Sequence, residues 1–536
     1  MSRRTQILVD TDQIELGGSR IVEPQRVAAS KAGMVATAHH CATDVGRQIL
    51  AVGGNAVDAA VAAALALGVC EPAACGLGGQ TMMLIHLGQP RRTFALDGSS
   101  RAPNRATAEM FREQHRRLRG HAATTVPSTP AVLDYALREY GTMSFAAVAE
   151  PSIQLAEEGF PVSALANRLA RRELKSLKTS AAGPLFLRDG VRPYTIGSTF
   201  RQPVLAKTLR RLARQGVKDF YQGRIARQIH VDMEKHDGLI SRDDLAQIPQ
   251  PIERRPVSCH FDGLRIITFP PPGAGRTLVE MLNILEHVPW ELTTPDTPRG
   301  AVVLAEVIRR AFLDRRDRPF DPTFYAQVDH RRMVSAEYGR RVASRVLRRV
   351  RSHGDTTHLS VMDRFGNAVG LTQSIERVYG SCAAGAELGF LYNNYMSAFD
   401  YEDIAHPYYM RPNAAPWASV APTIVFRGRR LWAVLGSPGS DRITPSIVQV
   451  LLRLKHQPPF DAVAAPRIHC RLNGEVSLEA TRMRDDIPDV LRRHGFTVKV
   501  RDPYSFYLGC VQLVTYEKKT FIGVADPRRD GSAGGP

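Results

Sequence analysis

The feature that most constrains the fold is a change of texture near residue 355. Before it, at 132–140, 144–158, 277–285 and 301–314, apolar residues recur at the three-and-four spacing of amphipathic helices. After it, Thr357-His-Leu-Ser-Val-Met-Asp363 and Asn367-Ala-Val-Gly-Leu-Thr-Gln-Ser-Ile375 alternate as strands do, joined by the turn Asp363-Arg-Phe-Gly366. This reads as a hairpin starting at Thr356, with further strands at 423–426, 431–435 and 511–516 and a helix at 445–454. Near the N-terminus, a short strand from Gly33 leads to a helix at 42–50, stopped by Gly53-Gly54. Asn55 then caps a second helix of small apolar residues, which such a composition expects to be buried. Residues 1–30 read as an N-terminal extension, and 529–536, rich in glycine, as a disordered tail.

Composition excludes more than it assigns. A chain of 536 residues with 43% hydrophobic and 23% charged residues is globular. The net charge of +18 invites an anionic partner. Yet arginine is spread along the whole chain, and the densest run, Arg340 to Arg351, lacks the interleaved aromatics of a single-strand binder, so no nucleic acid is expected. The seven cysteines are odd in number and contain no C-x-x-C pair. His39-His40-Cys41 are neighbours on one segment without an evident third partner, and no metal or other cofactor is expected. Asp10 and Asp12 fall where a signal peptide would be apolar, so the expected location is cytoplasmic. The most apolar run, 59–70, is short of the roughly 20 residues that span a bilayer, and no membrane segment is expected.

The chemistry concentrates at the texture change. A threonine hydroxyl is a poor nucleophile without a base in reach, and one such base is the threonine's own α-amine once the preceding peptide bond is gone. That amine titrates at about 7.7 to 8.0 when unperturbed, so it accepts a proton near neutrality. The stretch Arg351-Ser-His-Gly-Asp-Thr-Thr-His-Leu-Ser360 has the required layout, although the same pattern also serves as a plain Gly-Asp turn.

Its surroundings favour the chemical reading. Thr356-Thr-His-Leu-Ser-Val-Met-Asp-Arg-Phe-Gly-Asn-Ala-Val369 resembles the start of the small subunit of γ-glutamyltransferases. Colinear with it are Gly33-Met-Val-Ala, Gly53-Gly-Asn-Ala-Val-Asp-Ala-Ala-Val-Ala, Tyr140-Gly-Thr-Met, Phe220-Tyr-Gln-Gly, Gly238-Leu-Ile, Pro270-Pro-Pro, Pro422-Thr-Ile and Gly436-Ser-Pro-Gly. The resemblance implies an N-terminal-nucleophile hydrolase, an αββα four-layer sandwich of the α/β class. A helix-rich large chain, 31–355 with a basic mobile tail from 339, would be cut at Asp355-Thr356 from a strand-rich small chain, 356–528. By the same resemblance Thr356 is the nucleophile, Ser374 falls where the family holds the nucleophile with a second threonine, and Gly439 and Ser440 fall on the pair whose N–H groups form the oxyanion hole. The partners implied are a small amide and a water or amine acceptor, and the two subunits themselves; the oligomeric state stays open.

The residues that grip a γ-glutamyl group differ from the family pattern. Ser99 stands at the arginine's position with Arg101 two residues on, Glu376 at the asparagine's, Tyr395 and Ala398 at those of a glutamine and an aspartate, and Ala418-Ser419 at a serine pair. Arg101, Glu376, Tyr395 and Ser419 are therefore the expected substrate contacts. Losing the acid that holds an ammonium argues for an amide hydrolase with a different acyl group. True γ-glutamyl hydrolysis or transfer stays open, as does an uncleaved binding module. His358 is expected to be a packed strand histidine rather than a base.

Overall fold

A computed structural model describes residues 15–16, 19–20, 25–248, 250–293, 295–317, 335–343 and 356–536. Asp355 and most of the basic run, from residue 344 on, lie outside the described residues.

Two antiparallel seven-stranded sheets form the centre. In chain order their strands are β1 (Val27–Ser30), β2 (Gly33–Thr37), β3 (Gln80–Leu87), β4 (Arg92–Gly98), β5 (Ile252–Arg254), β6 (Val257–Phe261), β7 (Leu264–Thr268), β8 (Thr357–Asp363), β9 (Ala368–Ser374), β10 (Thr423–Arg427), β11 (Arg430–Gly436), β12 (Gln512–Glu517), β13 (Thr520–Ala525) and β14 (Ser532–Gly534). Sheet I runs β14-β2-β8-β9-β3-β4-β5, and sheet II runs β6-β7-β10-β11-β12-β13-β1. Met34, Met82, Leu84 and Met362 of sheet I meet Ile267, Ile424, Val434 and Val514 of sheet II in a buried layer. Helices α1 (His40–Ala51), α2 (Ala56–Cys70), α3 (Thr129–Tyr140) and α4 (Phe145–Glu158) cover the outer face of sheet I. Helices α5 (Gly275–Leu285), α6 (Pro298–Asp317) and α7 (Ile443–Leu454) cover sheet II. The result is the expected αββα sandwich, and among the described residues no helix is long and apolar enough to cross a membrane.

Local chemistry explains the joints. The Asn55 side chain accepts from the N–H groups of Val57 and Asp58 while Asp58 accepts from Asn55, a reciprocal cap of the kind worth about 1 kcal/mol. Asp363, in the hairpin turn, accepts from the Ala56 N–H at 2.8 Å and from Phe365, Asn367 and the Asn367 amide. One carboxylate thus shapes the β8–β9 turn and caps α2, 307 residues away in sequence. Gly46 lets α1 and α2 close on each other: a Cβ there would stand 3.0 Å from Val35 and 3.3 Å from Ala63.

Both expected ends differ from the structure. Val27–Ser30 are not extension but the edge strand of sheet II, paired with β13. The C-terminal segment is not a disordered tail: β14 pairs with β2 and is buried, and Gly531 passes so close to Thr37 that a Cβ would meet its carbonyl at 2.5 Å. Its small residues are a fit to a narrow gap, where composition alone suggests looseness. The seven cysteines are free thiols, six of them buried.

Candidate active site

Thr356 stands immediately before β8 and is 3% exposed. Thr357 pairs with Gln373 across the hairpin, so the next step of the same register sets Thr356 opposite Ser374, which in turn pairs with Gln80. Alternation along β8 turns Thr356, His358 and Ser360 toward sheet II and Thr357 toward the helices. Thr357 donates to Glu71 Oε2 at 2.5 Å, and Arg529 donates to Glu71 Oε1 at 2.6 Å. Glu71 ends α2, so this latch fixes the start of β8 from behind.

His358 fills the space in front of Gly436 so tightly that a Cβ there would sit 2.3 Å from its ring. Its ring nitrogens meet Thr372 Oγ1 at 2.8 Å and Ser360 Oγ at 3.1 Å. Burial lowers its pKa to about 3, which makes it a neutral packing group, as expected, and not a base near pH 7. Because His358 is two residues from Thr356, this contact brings the turn after β11 over the start of β8.

That turn contains the expected oxyanion pair. Gly439 has φ +120°, a conformation for glycine, and Ser440 has φ +53°, the left-handed region a serine reaches at a cost of about 1 to 2 kcal/mol. The strain is held in place: Ser437 Oγ accepts from Cys510 N–H at 2.9 Å, Asp441 pairs with Arg315 at 2.9 Å, and Arg442 donates to the Tyr507 carbonyl at 3.1 Å. Ser419 Oγ lies 3.4 Å from Ser440 Oγ, so the expected contact Ser419 adjoins this turn.

On the other side, Tyr395 is buried with its hydroxyl facing Ser374 and Gln80. Burial first, and then the nearby Glu376 carboxylate, push its phenol well above the usual range. Glu376 has φ +74°, and its N–H donates to Ser374 Oγ at 2.8 Å. Ser374, Tyr395 and Glu376 are thus one cluster beside Thr356. Ser100, through its N–H and Oγ, donates to Gln80 Oε1, and the next residue, Arg101, is 8% exposed. The Ser99 hydroxyl and N–H are both bound to Asp97, at 2.6 and 3.0 Å. Ala398 ends the short helix Tyr395–Ala398, and it brings no charge to the position where the resemblance has an aspartate.

Glu71, Gln80 and Arg529 are not among the residues the sequence singles out. Gln80 follows a glycine turn that hints at a close approach, whereas Glu71 and Arg529 are 458 residues apart and carry no local signal of their pairing.

Ligand atoms of His39, His40 and Cys41 do lie within 4.8 Å of one another, as do those of His121, Asp232 and His236. In the first group His39 Nδ1 accepts from the Cys41 N–H as the cap of α1, and burial pushes the Cys41 thiol up to about 12, both unfavourable to a metal. In the second, Asp232 is already bound by both imidazoles and by the Tyr392 hydroxyl.

A gamma-glutamyltranspeptidase model matches residues 42–535. The chain belongs to the gamma-glutamyltranspeptidase family. It is 34% identical to the glutathione hydrolase proenzyme of Escherichia coli (strain K12), over 93% of this chain and 91% of that one. It is 32% identical to the acylase ACY 1 proenzyme of Pseudomonas sp. (strain V22), over 95% and 94% of the two chains. Cephalosporin acylase from Bacillus halodurans superposes with a TM-score of 0.88 at 27% identity, covering 98% of this chain and 99% of that one. As a gamma-glutamyltranspeptidase family member the chain is an N-terminal-nucleophile enzyme that acts on amide bonds by acyl transfer.

Proposed function

We propose that the chain cuts itself between Asp355 and Thr356 and that the freed Thr356 then hydrolyses a small amide whose acyl group lacks the α-ammonium of γ-glutamate. In the first reaction Thr356 Oγ attacks the Asp355 carbonyl, the peptide bond shifts to an ester and so frees the α-amine, and water splits that ester to release the Thr356 hydroxyl and the Asp355 carboxylate. In the second, the amine takes the Oγ proton as Oγ attacks the substrate carbonyl. The amine then returns the proton to the leaving nitrogen, and water resolves the acyl-threonine ester. The N–H groups of Gly439 and Ser440 stabilise the oxyanion in this scheme, a role worth about 3 to 4 kcal/mol per donor. Ser374 holds the nucleophile's hydroxyl.

The observation that supports the substrate reading is that Ala398 and a buried, neutral Tyr395 stand where the resemblance has an aspartate and a glutamine, which leaves Glu376 as the carboxylate of the cluster beside Thr356. By the resemblance, Arg101 is the residue we assign to a substrate carboxylate. Relatives named as acylases agree with such a donor. The second reading, hydrolysis or transfer of γ-glutamyl groups, is favoured by the likeness to glutathione hydrolase proenzymes.

Glutaryl and γ-glutamyl anilides differ only by the ammonium and so separate the two. Processed protein, confirmed by a small chain whose N-terminal sequence starts at Thr356, is expected to favour the glutaryl anilide in kcat/KM by about tenfold or more. Preference for the γ-glutamyl anilide would establish the second reading. An uncut chain after prolonged incubation would sink both.

A further inference from the structure

At the end of the sandwich away from Thr356, a cleft of about 400 Å³ opens between the two sheets. That volume falls in the range of about 300 to 1,000 Å³ typical of small-ligand sites. The row Met362–Ala368–His86–Thr93 marks this end of sheet I, five residues along the strands from the row Thr357–Gln373–Thr81–Gly98. The distance is about 17 Å at 3.4 Å per residue, so the cleft is separate from the site described above.

Five arginines rim it, from four places in the chain. Arg91 and Arg92 come from the β3–β4 turn and the first residue of β4, Arg255 from the link between β5 and β6, Arg265 from β7 and Arg429 from the β10–β11 turn. Arg92 pairs with Glu253, and Arg427, next to the cleft, is already matched by Glu517 at 2.8 Å. Among the described residues Arg91, Arg255, Arg265 and Arg429 make no ion pair. Four like charges around one concavity repel each other unless an anion lies between them. The floor supplies no counter-charge. His86 is neutral, its pKa lowered to about 4 by burial and then by Arg91; it holds Thr93 Oγ1 at 2.7 Å and meets Phe426 edge-on at 5.0 Å.

We infer that this cleft is a binding site for a small oligophosphate anion, held by the guanidinium groups of Arg91, Arg255, Arg265 and Arg429. The planar forks of arginine match phosphate oxygens two at a time, and groups carried on separate turns can surround a chain of phosphates rather than one. A nucleic acid fits less well, because the rings here, Phe426 and His86, are 5% and 3% exposed and offer no face for a base.

Calorimetric titration of sodium tripolyphosphate into the full processed protein at about 150 mM salt, where exposed charges are screened, tests the assignment. One saturable site per chain is expected. Arg265→Gln and Arg429→Gln should each weaken it by about tenfold or more, with thermal unfolding scans confirming that the variants fold. Arg214→Gln, at an exposed arginine on the helix Pro203–Gln215, should leave binding unchanged. Amide hydrolysis should be unaffected in all three variants. Absence of saturable heat, an equal loss in Arg214→Gln, equal binding of citrate, or displacement by an equimolar single-stranded oligonucleotide would each overturn the proposal.

Discussion

The two ends of the sandwich are built on opposite rules. At the Thr356 end a set of polar groups is paired inside the protein: Thr357 with Glu71, Glu71 with Arg529, His358 with Thr372 and Ser360, Ser437 with Cys510. Nearby, Arg467, Asp526, Arg528 and Glu479 form a buried network with contacts of 2.6 to 3.0 Å. At the far end four arginines converge without acids. A site that must hold one geometry closes its polar groups on each other, and a site that must hold an anion leaves its charges open.

The largest expected effect breaks the closed end directly. Thr356→Ala should remain one chain on a denaturing gel and lose amide hydrolysis by a factor on the order of 10⁶, the scale for removing a nucleophile; two chains would mean that another residue performs the cut. Next, Asp526→Ala leaves Arg467 and Arg528 buried with fewer partners. Burial pushes the Asp526 carboxyl up, but Arg467 and Arg528 outweigh it and hold it below the usual range. Chemical denaturation should show a loss of about 3 to 5 kcal/mol, the cost of breaking a buried ion pair.

A smaller effect depends on pH. His358 has a folded pKa of about 3, below its unfolded value of about 6.5, so the unfolded state binds the extra proton between these limits. Its contribution is therefore fully present above pH 6.5 and lost as pH falls toward 3. Urea unfolding from pH 7 to 4 should show a flatter decline in His358→Gln, which keeps a donor and an acceptor but cannot titrate; an unchanged slope would assign the acid sensitivity elsewhere, with buried His39, lowered to about 3, the next to test. The smallest effect belongs to the open end. Arg429→Glu removes repulsion and should change stability by less than about 0.5 kcal/mol, or raise it slightly, in the absence of added anion.

Much of the closed end was legible. Strand alternation located β8 and β9, the Gly-Asn-Ala-Val-Asp segment located the α2 cap, and the motif series located Thr356, Ser374 and the Gly439-Ser440 turn, because each depends on local spacing. What was not legible depends on distant partners. Ser99 stands at the arginine's position in the resemblance, but that its hydroxyl is held by Asp97 shows only in the folded chain. Glu71 and Arg529 meet only after both sheets form, and β14 reads as a loose tail because glycine and serine declare no preference until β2 offers an edge. The arginine cleft was hidden for the same reason: the charge count gave +18, but four separate segments must fold to gather it in one place.

The strand order of sheet I carries one more consequence. Across β14-β2-β8-β9-β3-β4-β5, a cut before Thr356 assigns β14, β8 and β9 to one polypeptide and the rest to the other, with β2 held between two strands of the small chain. The halves are therefore woven rather than docked, and severing the chain creates two molecules without creating a separable joint. Two genes encoding 1–355 and 356–536 would have to be translated together to yield enzyme, since neither product alone offers the other a finished surface to recognise.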